Sequence, residues 1–226
     1  MKKQGWFILS VLGLVICITG APAHAQDGKF SLFAGYSYGT NDAYRLIDPA
    51  LHGYSADVAY NFNKHIGLEA NFSGHNGSPL IDSEPATSTE NGYNDFTDQD
   101  EYLYTFGPRL SLPVGHFSLF THFLVGGVHE HVGFTDKCVQ SSGSESTCPT
   151  TSSSDSSRGN GFAFKTGGGV DWNHGFWGVR ILEVDYVHGD LLLHETCTGC
   201  TPYNFSSTLN NFELSTGVTF NFGAAK

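Results

Sequence analysis

Histidine is the residue type in this chain that most invites a chemical interpretation, and the sequence contains 11 of them. His129 and His131 are two positions apart on a predicted strand, so their imidazoles share a face and could bind a metal ion near a sheet rim. His122, His188 and His194 could add ligands, but no spacing among them defines a ligand set. Histidines at the edge of an apolar surface, with the polar tip in water, explain the pattern better. We therefore predict no metal site and no cofactor.

Four cysteines lie in predicted loops. Cys138 and Cys148 bracket a serine-rich segment, and Cys197 and Cys200 enclose two residues. In an exported protein this placement favours two local disulfides, 138–148 and 197–200, although connectivity does not follow from sequence alone. A four-cysteine metal site would require the two loops to converge. A redox pair would require a thioredoxin-type strand and helix, which the sequence does not predict.

Two further kinds of polar cluster could indicate chemistry. An enzyme that modifies lipids of the cell envelope needs a serine, a histidine and an acid next to each other on a surface that contacts lipid. No such set can be assembled from this sequence, so we predict that the protein is not an enzyme. Acidic residues crowd one predicted loop but lack the glycine turn and spacing of a calcium site. We interpret these residues as solvated surface charge: Asp82, Glu84, Glu90, Asp95, Asp98, Asp100 and Glu101.

The N-terminal residues predict export. Lys2 and Lys3 precede a short apolar run, and Ala23-His24-Ala25 offers a cleavage site. We predict a signal peptide at residues 1–25 and one domain at residues 26–226. Without these two lysines, the chain has 9 lysines and arginines and 22 aspartates and glutamates. Because phosphate contacts need a basic patch, we predict no nucleic-acid partner.

Eight segments of the mature chain alternate between apolar and polar residues, as strands with one apolar face do. Tight turns near residues 63, 114 and 174 alternate with predicted loops at 40–52, 74–100, 132–160 and 189–208. Arg180 and Glu183 fall on opposite faces by strict alternation, so a bulge near Leu182 is predicted to bring both inward. The register of the fifth segment is open, because both of its faces are partly apolar. The predicted strands are 29–39, 53–62, 66–73, 101–112, 117–131, 161–172, 176–188 and 211–222.

The polar faces of these strands carry charges of both signs. A soluble lipocalin-like barrel would instead have an apolar packed interior, whereas an outer-membrane barrel turns its apolar face to lipid and its polar face to the lumen. We therefore predict an all-β fold, an eight-stranded antiparallel up-and-down transmembrane β-barrel in the bacterial outer membrane. Its predicted lumen charge network is Asp57, Glu69, Glu101, Arg109, Lys165, Asp171, Arg180, Asp185 and Glu213.

Several short motifs carry a resemblance to a known family. Phe106-Gly107-Pro108-Arg109, Gly167-Gly168-Gly169-Val170-Asp171 and Val184-Asp185-Tyr186 occur in an order and spacing that resemble small outer-membrane proteins with an OmpA-like transmembrane domain. The resemblance implies a C-terminal signal read by the outer-membrane assembly machinery, and no peptidoglycan-binding domain is expected. The residues that match this signal are Ser215, Gly217, Phe220 and Phe222.

The functional prediction is a structural or surface-interaction role, with a closed charged lumen and long extracellular loops. The interior of an eight-stranded barrel is just filled by side chains, so a wide pore is not expected. A narrow channel or small-solute porin is the alternative, and an envelope-lipid enzyme is a weaker one. The predicted partners are outer-membrane lipids, the assembly machinery and an extracellular ligand that the sequence cannot name. A monomer is expected.

Overall fold

The computed structural model describes residues 29–40, 50–78, 80–87, 91–139, 154–196, 201 and 203–223. None of these residues forms a helix long and apolar enough to cross a membrane. The predicted signal peptide lies outside the described residues and remains a prediction. The described strands are β1 (Phe30–Thr40), β2 (Ala50–Asn61), β3 (Ile66–Gly77), β4 (Leu80–Glu84), β5 (Gly92–Val114), β6 (Phe117–Val139), β7 (Ser154–His174), β8 (Trp177–Thr196) and β9 (Tyr203–Phe222).

The strands form one antiparallel sheet that closes on itself. Neighbours in sequence pair with each other except for β3 and β4, β1 pairs with β9, and β3 pairs with β5. The short β4 pairs with the outer end of β5, on the same edge as β3 and beyond it, and is not counted as a separate strand of the ring. Eight strands therefore make a closed up-and-down barrel, and the prediction of this fold is confirmed.

Three tight turns join strands at one end, which we call the inner end. In the first, the side-chain oxygen of Asn63 accepts hydrogen bonds from the backbone N–H groups of His65 and Ile66, at 2.8 and 3.0 Å. In the other two, Gly115 and Gly175 have φ of 65° and 69°, a left-handed backbone conformation that favours glycine. The longer connections lie at the opposite, outer end. Outer-membrane barrels place their short turns in the periplasm and their long loops outside the cell.

The strands extend further toward the outer end than the sequence predicts, so all four predicted loops are too long, the first by only a few residues. The cause is the chemistry of the outward face, which is mainly polar in these extensions, so the apolar–polar contrast that marks a strand in lipid is largely lost there. The largest differences are the start of β5 at Gly92, the end of β6 at Val139, the start of β7 at Ser154, the end of β8 at Thr196 and the start of β9 at Tyr203, and the short β4 lies within a predicted loop.

A belt of exposed apolar side chains surrounds the ring, and Phe106, Phe123 and Val184 are typical members. Aromatic side chains border it at both ends, as in outer-membrane barrels, with Phe30 at the inner end and Tyr104 at the outer end. The outward face changes from polar to aromatic between Asp100 and Tyr102 on β5, Asn160 and Phe162 on β7, and Asn210 and Phe212 on β9. This level marks the outer limit of the lipid-facing surface.

The structure contains the bulge predicted in β8. Pairing with β7 steps from Leu182 opposite Val170 to Arg180 opposite Asp171, and pairing with β9 also shifts between Arg180 and Glu183. Ile181 and Leu182 are consequently both exposed on the outside. Arg180 and Glu183 both enter the lumen, as predicted.

The open register of the fifth predicted strand, now β6, is fixed by burial. Phe117, Leu119 and Phe123 are exposed to the outside, whereas Phe120 and Leu124 are buried in the lumen. Both faces of this strand are apolar because part of the lumen is itself apolar.

One pair of variants tests the outer limit of the lipid-facing surface. Val184 and Leu192 both point outward from β8 and are 41% and 59% exposed. Val184 lies within the lipid-facing belt, and Leu192 lies beyond its outer limit. A charge near the bilayer midplane costs about 2–4 kcal/mol and much less at the interface. We expect Val184→Arg to lower the unfolding free energy in lipid vesicles by about that amount, and Leu192→Arg to leave it nearly unchanged. Equal losses would contradict this placement of the membrane.

Candidate functional site: the charged lumen

The strand period of two residues positions the lumen side chains, since every second residue of each strand points inward. All nine residues of the predicted charge network are buried, at 0–6% exposure. Four buried ionisable residues were not included in the predicted network. Glu130 lies on the strand whose register the sequence left open, and Glu183 lies beside the bulge in β8. The other two are histidines, which the sequence pattern cannot assign to a network. They are His75, His122, Glu130 and Glu183.

Arg180 is the centre of the inner half of the network. Its guanidinium donates hydrogen bonds to Asp171 at 2.9 Å, to Asp57 at 2.6 Å and to Glu183 at 3.0 Å. The guanidinium carbon lies 3.9 Å from the ring centroid of Phe33 and 4.5 Å from that of Phe120. Two aromatic faces and three carboxylates thus hold a cation that is 1% exposed.

Glycines in the barrel wall make room for this arrangement. Gly35 and Gly217 face each other across the β1–β9 pair. A Cβ atom on Gly35 would lie 2.7 Å from the ring of Phe33, and one on Gly217 would lie 2.9 Å from the same ring. Both contacts are closer than real Cβ atoms allow, so the ring that stacks on Arg180 requires glycine at both positions.

Arg109 is the second buried arginine. It donates to Glu69 at 2.8 Å and to Asp171 at 3.1 Å, and its guanidinium carbon lies 3.8 Å from the ring centroid of Phe120. Asp171 therefore joins the two arginines, and Phe120 contacts both. Charges removed from water are stabilised only by such complete pairing.

His122 and Lys165 occupy the middle of the lumen. The two ring nitrogens of His122 lie 2.9 Å from Glu69 and 3.0 Å from Asp185. Lys165, which is fully buried, lies 3.2 Å from Asp185 and contacts Glu213. The ion pairs therefore form a continuous chain from the inner half to the level of Lys165.

Toward the outer end, hydrogen bonds to neutral side chains replace most ion pairs. Asn211 donates to Glu101 at 2.9 Å, and Gln99 donates to Glu130 at 2.7 Å. His75 lies 3.9 Å from Glu101. This part of the lumen contains carboxylates with few cations beside them.

One side of the lumen is apolar, which the sequence did not predict. A buried cluster fills the space between the inward faces of β5 to β9, beside the charged residues and toward the outer end. Part of it comes from strand segments predicted to be loops, where no lumen face was assigned. Its members are Leu103, Val128, Ala163, Val187, Leu191, Leu193 and Leu209, with Phe205 packed against them.

The four residues of the predicted assembly signal divide between two faces. Ser215 is buried and bonds Ser37 at 3.1 Å, and Gly217 lies on the same inward face. Phe220 and Phe222 lie on the outward face at the inner end, and Phe220 stacks on Phe176. Ser215 and Gly217 thus have packing roles of their own, and the recognition role remains a prediction.

The other candidate residues are dispersed. Among the described residues, neither group of three close metal-ligating side chains includes His129 or His131. Hydrogen bonds link His129 to Asn160 at 2.8 Å and His194 to Asn204 at 2.7 Å. The acidic side chains of Asp82, Glu84 and Asp98 are exposed, Asp100 is half-buried, and Glu101 is buried in the lumen instead. Glu90, the side chain of Asp95 and three cysteines (Cys148, Cys197 and Cys200) lie outside the described residues, so both disulfides remain predictions.

Comparison with known proteins supports the fold. No family model and no curated protein matches the chain. The structure of outer membrane protein OprG from Pseudomonas aeruginosa matches 89% of this chain and 100% of its own, with 13% identity and a TM-score of 0.52. A major outer membrane protein from Thermus thermophilus matches 86% and 99%, with 10% identity and a TM-score of 0.50. Ail from Yersinia pestis matches 86% and 99%, with 20% identity and a TM-score of 0.45.

The chain has the fold of small bacterial outer-membrane β-barrel proteins. The likenesses to OprG and to the Thermus thermophilus protein are distant and show the fold alone. The apolar belt, its aromatic borders and the polar lumen are independent features of this structure, and they are what a bilayer requires of such a barrel. The protein is an outer-membrane β-barrel.

The buried ion pairs of the barrel make a testable prediction. Eight buried carboxylates accompany three buried lysines and arginines among the described residues. Arg109→Met should therefore be the more harmful change, costing about 3–5 kcal/mol because it leaves carboxylates uncompensated, and Glu69→Gln should cost less. The double variant should recover part of the loss, with a coupling energy of about 1–3 kcal/mol in reversible unfolding.

The control for this cycle is Asp190→Asn, a change at an exposed carboxylate 4.0 Å from His188. It should leave stability unchanged, because exposed pairs contribute little. Strictly additive effects of Arg109→Met and Glu69→Gln would mean that the 2.8 Å contact does not exist in the membrane.

The predicted assembly signal can be separated from packing by two matched variants. Phe222 and Phe30 are register partners on β9 and β1 and share the outward face at the inner end. We expect Phe222→Ala to slow assembly in cells, measured by pulse-chase and heat-modifiable gel migration, and Phe30→Ala to assemble at the normal rate. Both purified variants should refold with similar stability. Equal delays in cells would show that the border of aromatic residues matters, and that no signal is read.

Proposed function

We propose that this barrel is a surface-interaction protein, in which a closed transmembrane ring anchors a recognition surface outside the cell. The observation that supports this most directly is the unequal height of the wall. β1, β2 and β3 have 11 to 12 residues, whereas β5 to β9 have 20 to 23. Five adjacent strands therefore rise beyond the outer limit of the lipid-facing surface, and we call their outer parts the raised wall.

The composition of the raised wall supports a binding role. Its outward face combines charged side chains, such as Asp98 and Arg158, with exposed Leu192. Histidine–asparagine hydrogen bonds cross neighbouring strands, as between His194 and Asn204. A surface already ordered by such pairs loses little conformational entropy when it binds a partner.

The interior argues against transport as the main role. Arg180 and Lys165 are held by several partners inside the ring, and both are at most 1% exposed. Opening a path for solutes would separate buried charges from these partners, at a cost of several kcal/mol for each broken pair. The buried apolar cluster lies beside them.

The raised wall can be shortened above the membrane-spanning ring, with the loss of Leu191, Leu193 and Phe205 from the apolar cluster. Asp190 and Thr208 are opposite each other on β8 and β9, so residues 191–207 can be replaced by an Asn-Gly turn. The control replaces residues 41–49 with the same turn, on the side of the barrel formed by the short strands. Thr40 and Ala50 are opposite each other on β1 and β2, so the same replacement is possible there. Heat-modifiable gel migration verifies that each variant folds.

Binding is measured with cells that display each form, on arrays of glycans and immobilised matrix glycoproteins. We expect the intact protein and the 41–49 replacement to bind, and the 191–207 replacement to lose binding. Planar-bilayer recording of the intact protein should show no steady conductance. Steady single-channel openings without array binding would overturn the proposal in favour of a narrow channel.

A further inference from the structure

We propose that His75, Glu101 and Glu213 form a binding site for a divalent transition-metal ion such as Zn²⁺, inside the outer half of the lumen. The Nδ1 atom of His75 lies 3.9 Å from Oε1 of Glu101 and 3.7 Å from Oε1 of Glu213. One ligand atom from each of the three residues lies within 4.8 Å of the others. All three side chains are at most 1% exposed.

The remaining polar atoms of these residues are already held by neighbours. Nε2 of His75 bonds Ser37 at 2.8 Å, and Oε2 of Glu101 accepts from Asn211 at 2.9 Å. Oε2 of Glu213 contacts Lys165, while its Oε1 accepts from Ser73 at 3.1 Å. Such outer partners orient metal ligands in known sites. Here Nδ1 of His75 has no such partner, and Oε1 of Glu213 could bind an ion while it still accepts from Ser73, because a carboxylate oxygen has two lone pairs.

The distances fit an ion better than a shared proton. Nδ1 of His75 is buried and has no hydrogen-bond partner among the described residues. Separations of 3.7 and 3.9 Å are too long for hydrogen bonds. Ligands bound about 2.0–2.2 Å from a tetrahedral ion lie roughly 3.3–3.6 Å apart, which small side-chain movements would reach. One imidazole and two carboxylates suit Zn²⁺ and its neighbours rather than Ca²⁺ or Mg²⁺.

Local charge also favours a cation. Glu101, Glu130 and Glu213 are all buried in this region, and Lys165, the cation in contact with Glu213, is shared with Asp185. Buried carboxylates without compensation are expensive. A divalent ion at this point would neutralise the surplus and would tie β9 to β3 and β5 across the lumen.

A second group, Glu69, His122 and Glu183, also brings three ligand atoms together, and it serves as the comparison. There each ring nitrogen of His122 already lies 2.9 or 3.0 Å from a carboxylate oxygen. Arg109 and Arg180 supply positive charge to Glu69 and Glu183. His122 Nδ1, Glu69 Oε1 and Glu183 Oε1 are also buried without a hydrogen-bond partner among the described residues. The difference between the two groups is therefore in charge: an ion pair of protonated His122 with Glu69 and Asp185, together with the two arginines, compensates the carboxylates there without a metal ion.

The test refolds the intact barrel with Zn²⁺, removes unbound metal by gel filtration and measures metal content by mass spectrometry. Co²⁺ serves as a visible-absorption probe of the ligand field in a parallel sample. We expect one ion per folded barrel, binding at least about tenfold weaker in His75→Gln and in Glu101→Gln, and unchanged binding in His122→Gln. Heat-modifiable migration verifies folding, and a competing excess of Ca²⁺ should not displace the ion.

Three results would overturn the proposal. The first is a folded wild-type barrel that retains no Zn²⁺ at micromolar concentration, which would mean that a proton compensates these carboxylates. The second is a folded His75→Gln variant that retains the ion with unchanged affinity. The third is loss of binding in His122→Gln together with retention in His75→Gln, which would assign the ion to the comparison group instead.

Discussion

The absence of water from the bilayer core is the constraint that organises this molecule. Each backbone N–H and C=O group in lipid must find a partner within the protein, so a sheet that crosses the bilayer cannot have free edges. Pairing of β1 with β9 and of β3 with β5 removes the edges and closes the ring. The number of strands then sets the diameter, and eight strands leave an interior that side chains just fill. The lumen chemistry follows from that limited width.

In so narrow an interior the large polar side chains need space made for them in the wall. Gly35 and Gly217 lack the Cβ atoms that would collide with the ring of Phe33, and that ring lies against Arg180. The guanidinium in turn gathers Asp57, Asp171 and Glu183. The glycines in the wall, the packing of the aromatic ring and the pairing of the buried charges therefore depend on one another, and a change in any of them would disturb the others.

The sequence predicts the lipid-crossing part of this fold well, because lipid and lumen impose opposite polarity on alternate residues. Even the β8 bulge is predictable, since Arg180 and Glu183 both need the lumen. Above the membrane the outward face meets water and the contrast disappears, so the extensions from Gly92 and from Tyr203 are indistinguishable from loops in the sequence. The apolar cluster is not predicted for a related reason. Leu191 and Leu209 can be assigned to the lumen face only once their segments are known to be strands.

The sequence does not predict the contacts across the lumen, because the register of adjacent strands does not determine them. His129 and His131 are close in sequence and suggest a metal site, yet the groups of close ligands among the described residues are built around His75 and His122. His122 meets Asp185 from two strands away, and His75 meets Glu213 on the far side of β1 and β2. Only the closed ring brings them together. The same closure that satisfies the backbone thus concentrates carboxylates where water cannot solvate them, and each must be compensated by an arginine, a lysine, a proton or an ion.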